Sequence, residues 1–129
     1  MKGIQLTKFV RMRWILEILE IARSIVHSLE DKKGENIVLI DLRDIVIFAD
    51  YFVICSGSSD RMIQGLADSA IDSVKKDYRI NPRVEGQSED GWLLVDYGDI
   101  ILHIFSPLRR DYYRLEELWS NGKVLLHVQ

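Results

Sequence analysis

Apolar residues recur at helical spacing in three parts of the chain. Between Met12 and Lys33 they return every three or four positions, which predicts a helix with one buried stripe. The same spacing from Asp60 to Lys76 predicts a second helix, which the serines before it can cap. Ser106-Pro107 is a helix-start signal, because serine caps well and proline fits the first helical turn. The third helix is predicted to run to about Trp119.

Short apolar runs between these helices predict β-strands. They are residues 37–42, 51–56 and 83–85 and the two runs around Gly98, and residues 124–128 are a candidate for a further strand. Strands separated by a helix allow a parallel pair with a right-handed crossover, and adjacent runs allow an antiparallel pair. We therefore expect an α/β fold with a mixed β-sheet of about five strands flanked by helices.

The segment from Trp92 to Phe105 carries the clearest local pattern. Two strand-like runs flank Gly98-Asp99, and a glycine free to take a positive φ suits a tight hairpin. Because side chains alternate between faces, one face of the first run carries Trp92 and Asp96. His103 stands in the mostly apolar second run, where a polar group is costly unless it is partnered or lies on an uncovered face. This pattern indicates a recognition surface or a structural polar network.

Composition and charge narrow the class of protein. The 129 residues fit one domain, with 47% apolar and 29% charged residues. The basic residues of segment 1–11 predict a solvated arm, and residues 120–129 a C-terminal extension. The net charge of −3 argues against direct nucleic-acid binding as the main mode and suits a basic protein partner equally well. Glu17 and Glu20 interrupt the first apolar stretch, so neither a signal peptide nor a membrane span is predicted. Cys55 is the only cysteine, which favours a cytoplasmic location.

Four separated motifs carry a family resemblance. They are D-Y-F-V-I-C-S-G at Asp50–Gly57, V-E-G at Val84–Gly86, the hairpin Trp92–Phe105, and D-Y-Y-R-L-E-E-L-W at Asp111–Trp119. Over roughly residues 12–119 the chain resembles the Iojap-like ribosomal silencing factors. The resemblance implies a topology related to nucleotidyltransferase-like folds. It also implies a factor that binds the large ribosomal subunit through its ribosomal protein fourteen and blocks joining of the small subunit. Such a factor represses translation without turnover or a cofactor, and it is expected to form homodimers.

The resemblance also supplies candidate site residues. The residues predicted to face the partner are Trp92, Asp96, Asp99, His103, Tyr113 and Glu116. Two interpretations of Asp96 and Asp99 stay open: one caps the hairpin while the other accepts a hydrogen bond from His103, or both face a basic partner. In the last helix, Tyr112, Leu115 and Trp119 share a face that is predicted to be core.

Enzymatic chemistry is poorly supported by the sequence. Ser56–Ser59 precedes a helix and could cradle a phosphate, but no phosphate-loop motif is present and a capped turn is favoured. Nucleotidyl transfer needs two carboxylates at alternate positions of a strand, whereas Asp68 and Asp72 fall on a predicted helix. The three histidines lack the spacing of metal ligands. We therefore predict no catalytic residue, metal or cofactor. The alternative is a degenerate nucleotidyltransferase-like enzyme or nucleotide-binding protein.

Overall fold

A computed structural model describes residues 2–129, and the side chains of residues 16–129. Up to Pro107, its helices and strands follow one another in the order that the sequence predicts. In chain order they are α1 (Lys2–Asp31), β1 (Glu35–Asp41), β2 (Tyr51–Ser56), α2 (Asp60–Tyr78), β3 (Arg83–Gln87), β4 (Trp92–Asp96), β5 (Ile100–Phe105), α3 (Pro107–Tyr113), α4 (Leu115–Leu118) and β6 (Lys123–Val128). The predicted α/β fold with a mixed sheet is confirmed, and the sheet has six strands because residues 123–128 join it.

The six strands lie in the order β3-β4-β5-β2-β1-β6. Only β2 and β5 run parallel, and every other neighbouring pair is antiparallel. The parallel pair needs a long connection, which α2 and the β3–β4 hairpin provide. In this arrangement β5 lies between β4 and β2, so its side chains meet those of both neighbours.

Helices α1 and α2 cover one face of the sheet. Their buried side chains, among them Ile25, Leu29, Leu66 and Ala70, pack against Val53 and other inward residues of the strands. The Ser59 hydroxyl accepts a 3.1 Å hydrogen bond from the Met62 amide, which caps α2 as the sequence predicts. Burial of this stripe provides most of the apolar core.

The opposite face is covered less completely. Its buried residues include Val38, Ile40, Phe52, Ile54 and Phe105, and Leu115 and Trp119 from the end of the chain pack against them. Among residues 16–129, the short helices α3 and α4 and the loop after β1 are what lies near this face. The part of the sheet formed by β4 and β5 therefore keeps a depression beside these helices.

The chain after Pro107 differs from the predicted single helix. Arg114 adopts a left-handed conformation with φ 48°, which ends α3 and starts α4. The break turns Tyr112 outward, so that 76% of it is exposed, and its assignment to the core was wrong. Leu115 and Trp119 pack on the sheet as predicted. At the other end of the chain, α1 begins at Lys2, earlier than the apolar spacing predicted, so residues 2–11 of the expected arm are helical.

Candidate functional site

A groove opens on the less covered face, at the boundary between the sheet and α3. Trp92 on β4 is the cross-strand neighbour of Phe105 on β5, and His103 is the neighbour of Leu94. Alternation along both strands places these side chains on the same face. The groove encloses about 220 Å³ and is lined by Trp92, His103, Phe105, Tyr113 and Leu115. Its walls are mostly apolar with a few polar atoms, which is the usual character of a recognition site.

Trp92 forms one wall and is held by a glycine on the edge strand. A Cβ atom at Gly86 would lie 2.5 Å from Cε3 of the Trp92 ring and 2.6 Å from the Trp92 carbonyl oxygen. Gly86 also has a φ of 88°, a conformation that favours glycine. The glycine of the V-E-G motif thus allows the half-buried indole, which lines the groove, to approach β3 closely.

His103 forms the floor. Only 8% of it is exposed, and its ring lies 4.8 Å from Phe52 and 5.9 Å from Phe105, nearly parallel to the latter. Neither ring nitrogen has a hydrogen-bond partner among the described residues. Burial lowers the pKa of His103 to about 4, so the ring is neutral at neutral pH. A neutral imidazole offers one donor and one acceptor.

Tyr113 forms the outer wall. Its ring packs at 5.7 Å on Phe105 and meets Tyr112 edge-on at 5.1 Å. About half of the Tyr113 side chain stays exposed at the last residue of α3. Together with Trp92 it gives the groove two accessible aromatic edges, and aromatic residues of this kind dominate the energetics of protein interfaces.

The structure places the two predicted aspartates differently. Asp96 lies on the face of Trp92, four residues further along β4, and its carboxylate accepts a 2.7 Å hydrogen bond from the Gly98 amide. Asp99 lines a separate cleft with Ile18 and Ile21 of α1, on the helix-covered face. Neither bonds to His103, so the network that the sequence left open is not formed. Of the two, only Asp96 lies on the side of the groove.

Glu116 is engaged within the chain. Its carboxylate accepts a 2.6 Å hydrogen bond from Nε of Arg110. One terminal nitrogen of the same guanidinium donates to the Ser56 hydroxyl. The structure therefore brings together Trp92, His103 and Tyr113, leaves Asp96 nearby, and separates Asp99 and Glu116 from the groove. All six stay predictions as partner contacts.

Several apolar residues that sequence reasoning missed belong to this face. Phe105 and Leu115 line the groove, and the loop after β1 exposes Ile47 fully and Phe48 in large part. Phe48 contacts Trp119 at 6.0 Å between ring centroids. The available signal was the apolar run within residues 43–49, a segment whose secondary structure the sequence leaves ambiguous. An apolar run that forms a loop leaves some of its large side chains exposed, as Ile47 and Phe48 are here.

The Gly-Ser turn before α2 is used structurally. Ser59 caps the helix, the Gly57 amide donates to the Phe105 carbonyl, and Ser56 accepts from Arg110. Among the described residues, no group of three or more His, Cys, Asp or Glu is placed to hold a metal ion. Likewise, no helix in residues 2–129 is both long and apolar enough to cross a membrane. The geometry on this face suits recognition.

Comparison with known proteins decides the family. The family model described as "Ribosomal silencing factor during starvation" matches residues 16–128, which includes every strand and all four groove-lining segments. The chain belongs to the ribosomal silencing factor family. The resemblance carried by the four motifs is thereby confirmed. This is a family of ribosome-associated regulatory factors rather than of enzymes.

Individual members of the ribosomal silencing factor family agree with this assignment. The chain is 38% identical over 105 residues to the "Ribosomal silencing factor RsfS" of Bacillus subtilis, covering 81% of this chain and 86% of that one. It is 28% identical over 107 residues to "Protein Iojap, chloroplastic" of maize, covering 82% of this chain and 46% of that one. A crystal structure of a Chromobacterium violaceum protein superposes with a TM-score of 0.76 at 31% identity, covering 87% and 92% of the two chains.

Proposed function

We propose that this protein binds the large ribosomal subunit through its ribosomal protein fourteen and sterically blocks joining of the small subunit. The observation that carries the proposal is the groove, because it places Trp92, His103 and Tyr113 on the one face that the helices leave open. Family membership supports the ribosomal part of the proposal. The choice of protein fourteen comes from the resemblance.

The groove has the composition of an interface centre. Aromatic anchors in a desolvated pocket commonly contribute about 2 kcal/mol or more each, whereas rim residues contribute little. Trp92 and Tyr113 are the anchors, and the apolar floor of Phe105 and Leu115 excludes water around them. A side chain from the partner that enters the groove would pack between the two rings. Silencing then needs only occupancy, since a bound protein excludes the small subunit from the same surface.

Charge favours a basic partner. The net charge of the chain is −3, and Asp96 lies on the same face as Trp92 at the hairpin end. Long-range attraction between an acidic factor and a basic ribosomal protein raises the association rate and is screened by salt. We expect the affinity to fall moderately as salt is raised, less than for a protein that grips phosphates directly.

Co-sedimentation with purified subunits tests the proposal. The parent protein is expected to sediment with free large subunits and not with joined ribosomes, and to slow the light-scattering rise when the subunits are mixed. Equal recovery with joined ribosomes would exclude the steric block. Binding to isolated ribosomal protein fourteen, measured in parallel, tests the partner, and binding to large subunits alone would point to another ribosomal component.

Two neighbouring tyrosines provide matched variants. Tyr113→Ala removes a groove wall, whereas Tyr112→Ala removes an adjacent ring of the same type that does not line the groove. We expect Tyr113→Ala to weaken binding by about tenfold. Tyr112→Ala should bind within about threefold of the parent, because an exposed side chain outside the contact contributes little. Equal losses of affinity for both variants would indicate that the interface lies outside the groove.

Two further expectations from the resemblance stay predictions. Self-association is testable by sedimentation velocity over a range of protein concentrations, and a single monomer boundary throughout would contradict it. A cytoplasmic location is expected if the partner is a cytoplasmic ribosome, and fractionation of cells with ribosome recovery would check it.

A further inference from the structure

Arg110 joins four segments of the fold through one guanidinium group. Its Nε donates to Glu116 at 2.6 Å, and one terminal nitrogen donates to the Ser56 hydroxyl at 2.8 Å and to the Glu35 carbonyl at 3.5 Å. The Arg110 side chain is only 13% exposed and that of Glu116 33%. A guanidinium that is this enclosed and bound to several acceptors holds its neighbours in place, because its planar fork fixes the directions of its bonds.

The ion pair between Arg110 and Glu116 closes a short loop of chain. That loop contains the left-handed residue Arg114 and two of the groove-lining residues, Tyr113 and Leu115. The pair adds a side-chain bond across the break between α3 and α4, where the backbone bonds of the two helices meet at the single residue Arg114. It therefore ties together residues on both sides of Tyr113 and Leu115.

Apolar packing alone holds this segment weakly. No side chain from residue 107 to residue 118, a segment that the structure describes completely, is fully buried. Leu115, Tyr113 through its packing on Phe105 and, just beyond the segment, Trp119 are its apolar contacts with the sheet. Polar bonds add to this packing. Arg110 bonds to Ser56 on β2 and to the Glu35 carbonyl on β1, and Nε of Arg109 donates a 3.1 Å bond to the Asp90 carbonyl.

We propose that Arg110, Glu116 and Ser56 form a latch that holds α3 and α4 against the sheet and so sets the shape of the groove. Glu116 then acts through Arg110 as a positioning residue, and not as a charge that touches the partner. This inference rests on the proposed function, because the groove is taken as the binding surface. It replaces the sequence-based assignment of Glu116 as a partner contact.

The expected size follows from population arithmetic. If the segment closes correctly in only a tenth of molecules, the apparent dissociation constant rises about tenfold. Glu116→Ala removes the acceptor of the Arg110 Nε bond and is expected to have this effect. Glu116→Gln keeps a side-chain oxygen at the same position, so it should bind within about threefold of the parent, although it removes the charge.

Glu117→Ala is the matched control. Glu117 is the next residue on α4, carries the same charge, is largely exposed, and contacts Arg114 only at 3.7 Å. Binding of the parent and the three variants to large subunits is measured at two salt concentrations. Amide hydrogen exchange of the free proteins is measured as well, which reports on the segment without any partner.

The latch predicts a specific combination of results. Glu116→Ala weakens binding about tenfold and speeds exchange in residues 107–119, while exchange in the strands stays at the parent rate. Glu116→Gln and Glu117→Ala resemble the parent in both measurements.

Two results would overturn the latch. One is equal weakening by Glu116→Gln and Glu116→Ala, strongest at low salt, with exchange at the parent rate; a charge that contacts the partner gives that result. The other is parent-like binding and exchange for Glu116→Ala. Failure of the parent to bind large subunits would instead refute the proposed function, and the exchange comparison would still decide whether the latch exists.

Discussion

The indole of Trp92 lies across Gly86 so closely that a Cβ atom there would come within 2.5 Å of the ring. This contact joins the edge strand β3 to the wall of the groove, because the glycine leaves the space that the ring occupies. It explains why a small residue on a strand that is exposed along its length matters to the site.

Gly86→Ala is expected to destabilise the protein by about 2 kcal/mol or more, since it adds a clash with Trp92 to an unfavourable φ. Gly98→Ala is the matched control, because Gly98 has the same φ of 88° but nothing within 4 Å of a built Cβ atom. Urea unfolding of both variants separates the clash from the backbone strain. Equal losses would mean that both the ring and the carbonyl of Trp92 move aside without cost.

Trp92→Ala should weaken binding to the ribosomal partner by about thirtyfold, the equivalent of roughly 2 kcal/mol. Asp96→Asn should weaken it less and mainly at low salt, because the amide keeps an oxygen for the Gly98 bond and loses only the charge. Asp72→Asn, at an exposed position of α2, is the control for the loss of one negative charge from the protein. Affinity and melting temperature are measured on the same samples. A Trp92→Ala protein that melts early yet binds normally when folded would remove Trp92 from the interface.

The stability of the protein should depend on pH through His103. The folded protein keeps this ring neutral down to a pKa of about 4, whereas the unfolded chain protonates it at an ordinary pKa of about 6.5. Between these values the unfolded state binds the additional proton, so stability falls as the pH is lowered from 6.5 to 4 and is fully retained above 6.5. The loss amounts to about 3 kcal/mol at most.

Urea unfolding at several pH values measures this dependence. His103→Leu is the reference, because its carboxylates titrate as those of the parent do and their contribution cancels in the difference between the two proteins. The difference between the parent and the variant should change across pH 4–6.5. A constant difference would show that His103 is protonated equally in both states.

His103→Leu should itself raise stability at pH 7 by about 1 kcal/mol, because leucine removes two buried nitrogens that lack partners among the described residues. The same variant is expected to weaken ribosome binding if the imidazole meets a polar group of the partner. Unfolding midpoints and co-sedimentation check the two effects. A less stable variant would indicate that the ring makes contacts with Phe52 and Phe105 that leucine cannot replace.

Cys55 should be unreactive in the folded protein. It is buried on β2, its sulfur would lie 2.6 Å from a Cβ atom built at Gly34, and burial raises its thiol pKa to about 12. Because the thiolate is the nucleophile, alkylation at pH 8 should be slow and should become fast only in denaturant. Mass spectrometry after timed alkylation measures both rates, and rapid labelling without denaturant would contradict the burial.

Much of the fold was predictable because periodicity reports on burial. The bounds of β2 match the prediction, since every residue of that strand is buried and none is charged. The break at Arg114 was not predictable in the same way. Left-handed residues are usually glycine or asparagine, and an arginine in the middle of a helical pattern carries no such signal. That break is what turns Tyr112 away from the core.

The candidate site was predictable only within one hairpin. Trp92 and Asp96 share a face as predicted, because alternation along a strand fixes which side chains lie together. The side of the sheet on which His103 lies was not predicted. Contacts between distant segments gave no local signal. The bond from Arg110 to Ser56 joins residues 54 positions apart, and the same guanidinium binds Glu116.

The parallel pairing of β2 with β5 has a consequence for how the surface arises during folding. The β3–β4–β5 meander and the β1–β2 pair can each form from nearby chain, whereas β2 and β5 meet only after the long connection between them closes. The groove lies on β4 and β5, and its floor residue His103 packs on Phe52 of β2 across this seam, with 4.8 Å between the ring centroids. The floor is therefore supported only once the two strands have paired. A partly folded chain therefore lacks the docking surface, so only molecules that have completed assembly are able to compete for a ribosome.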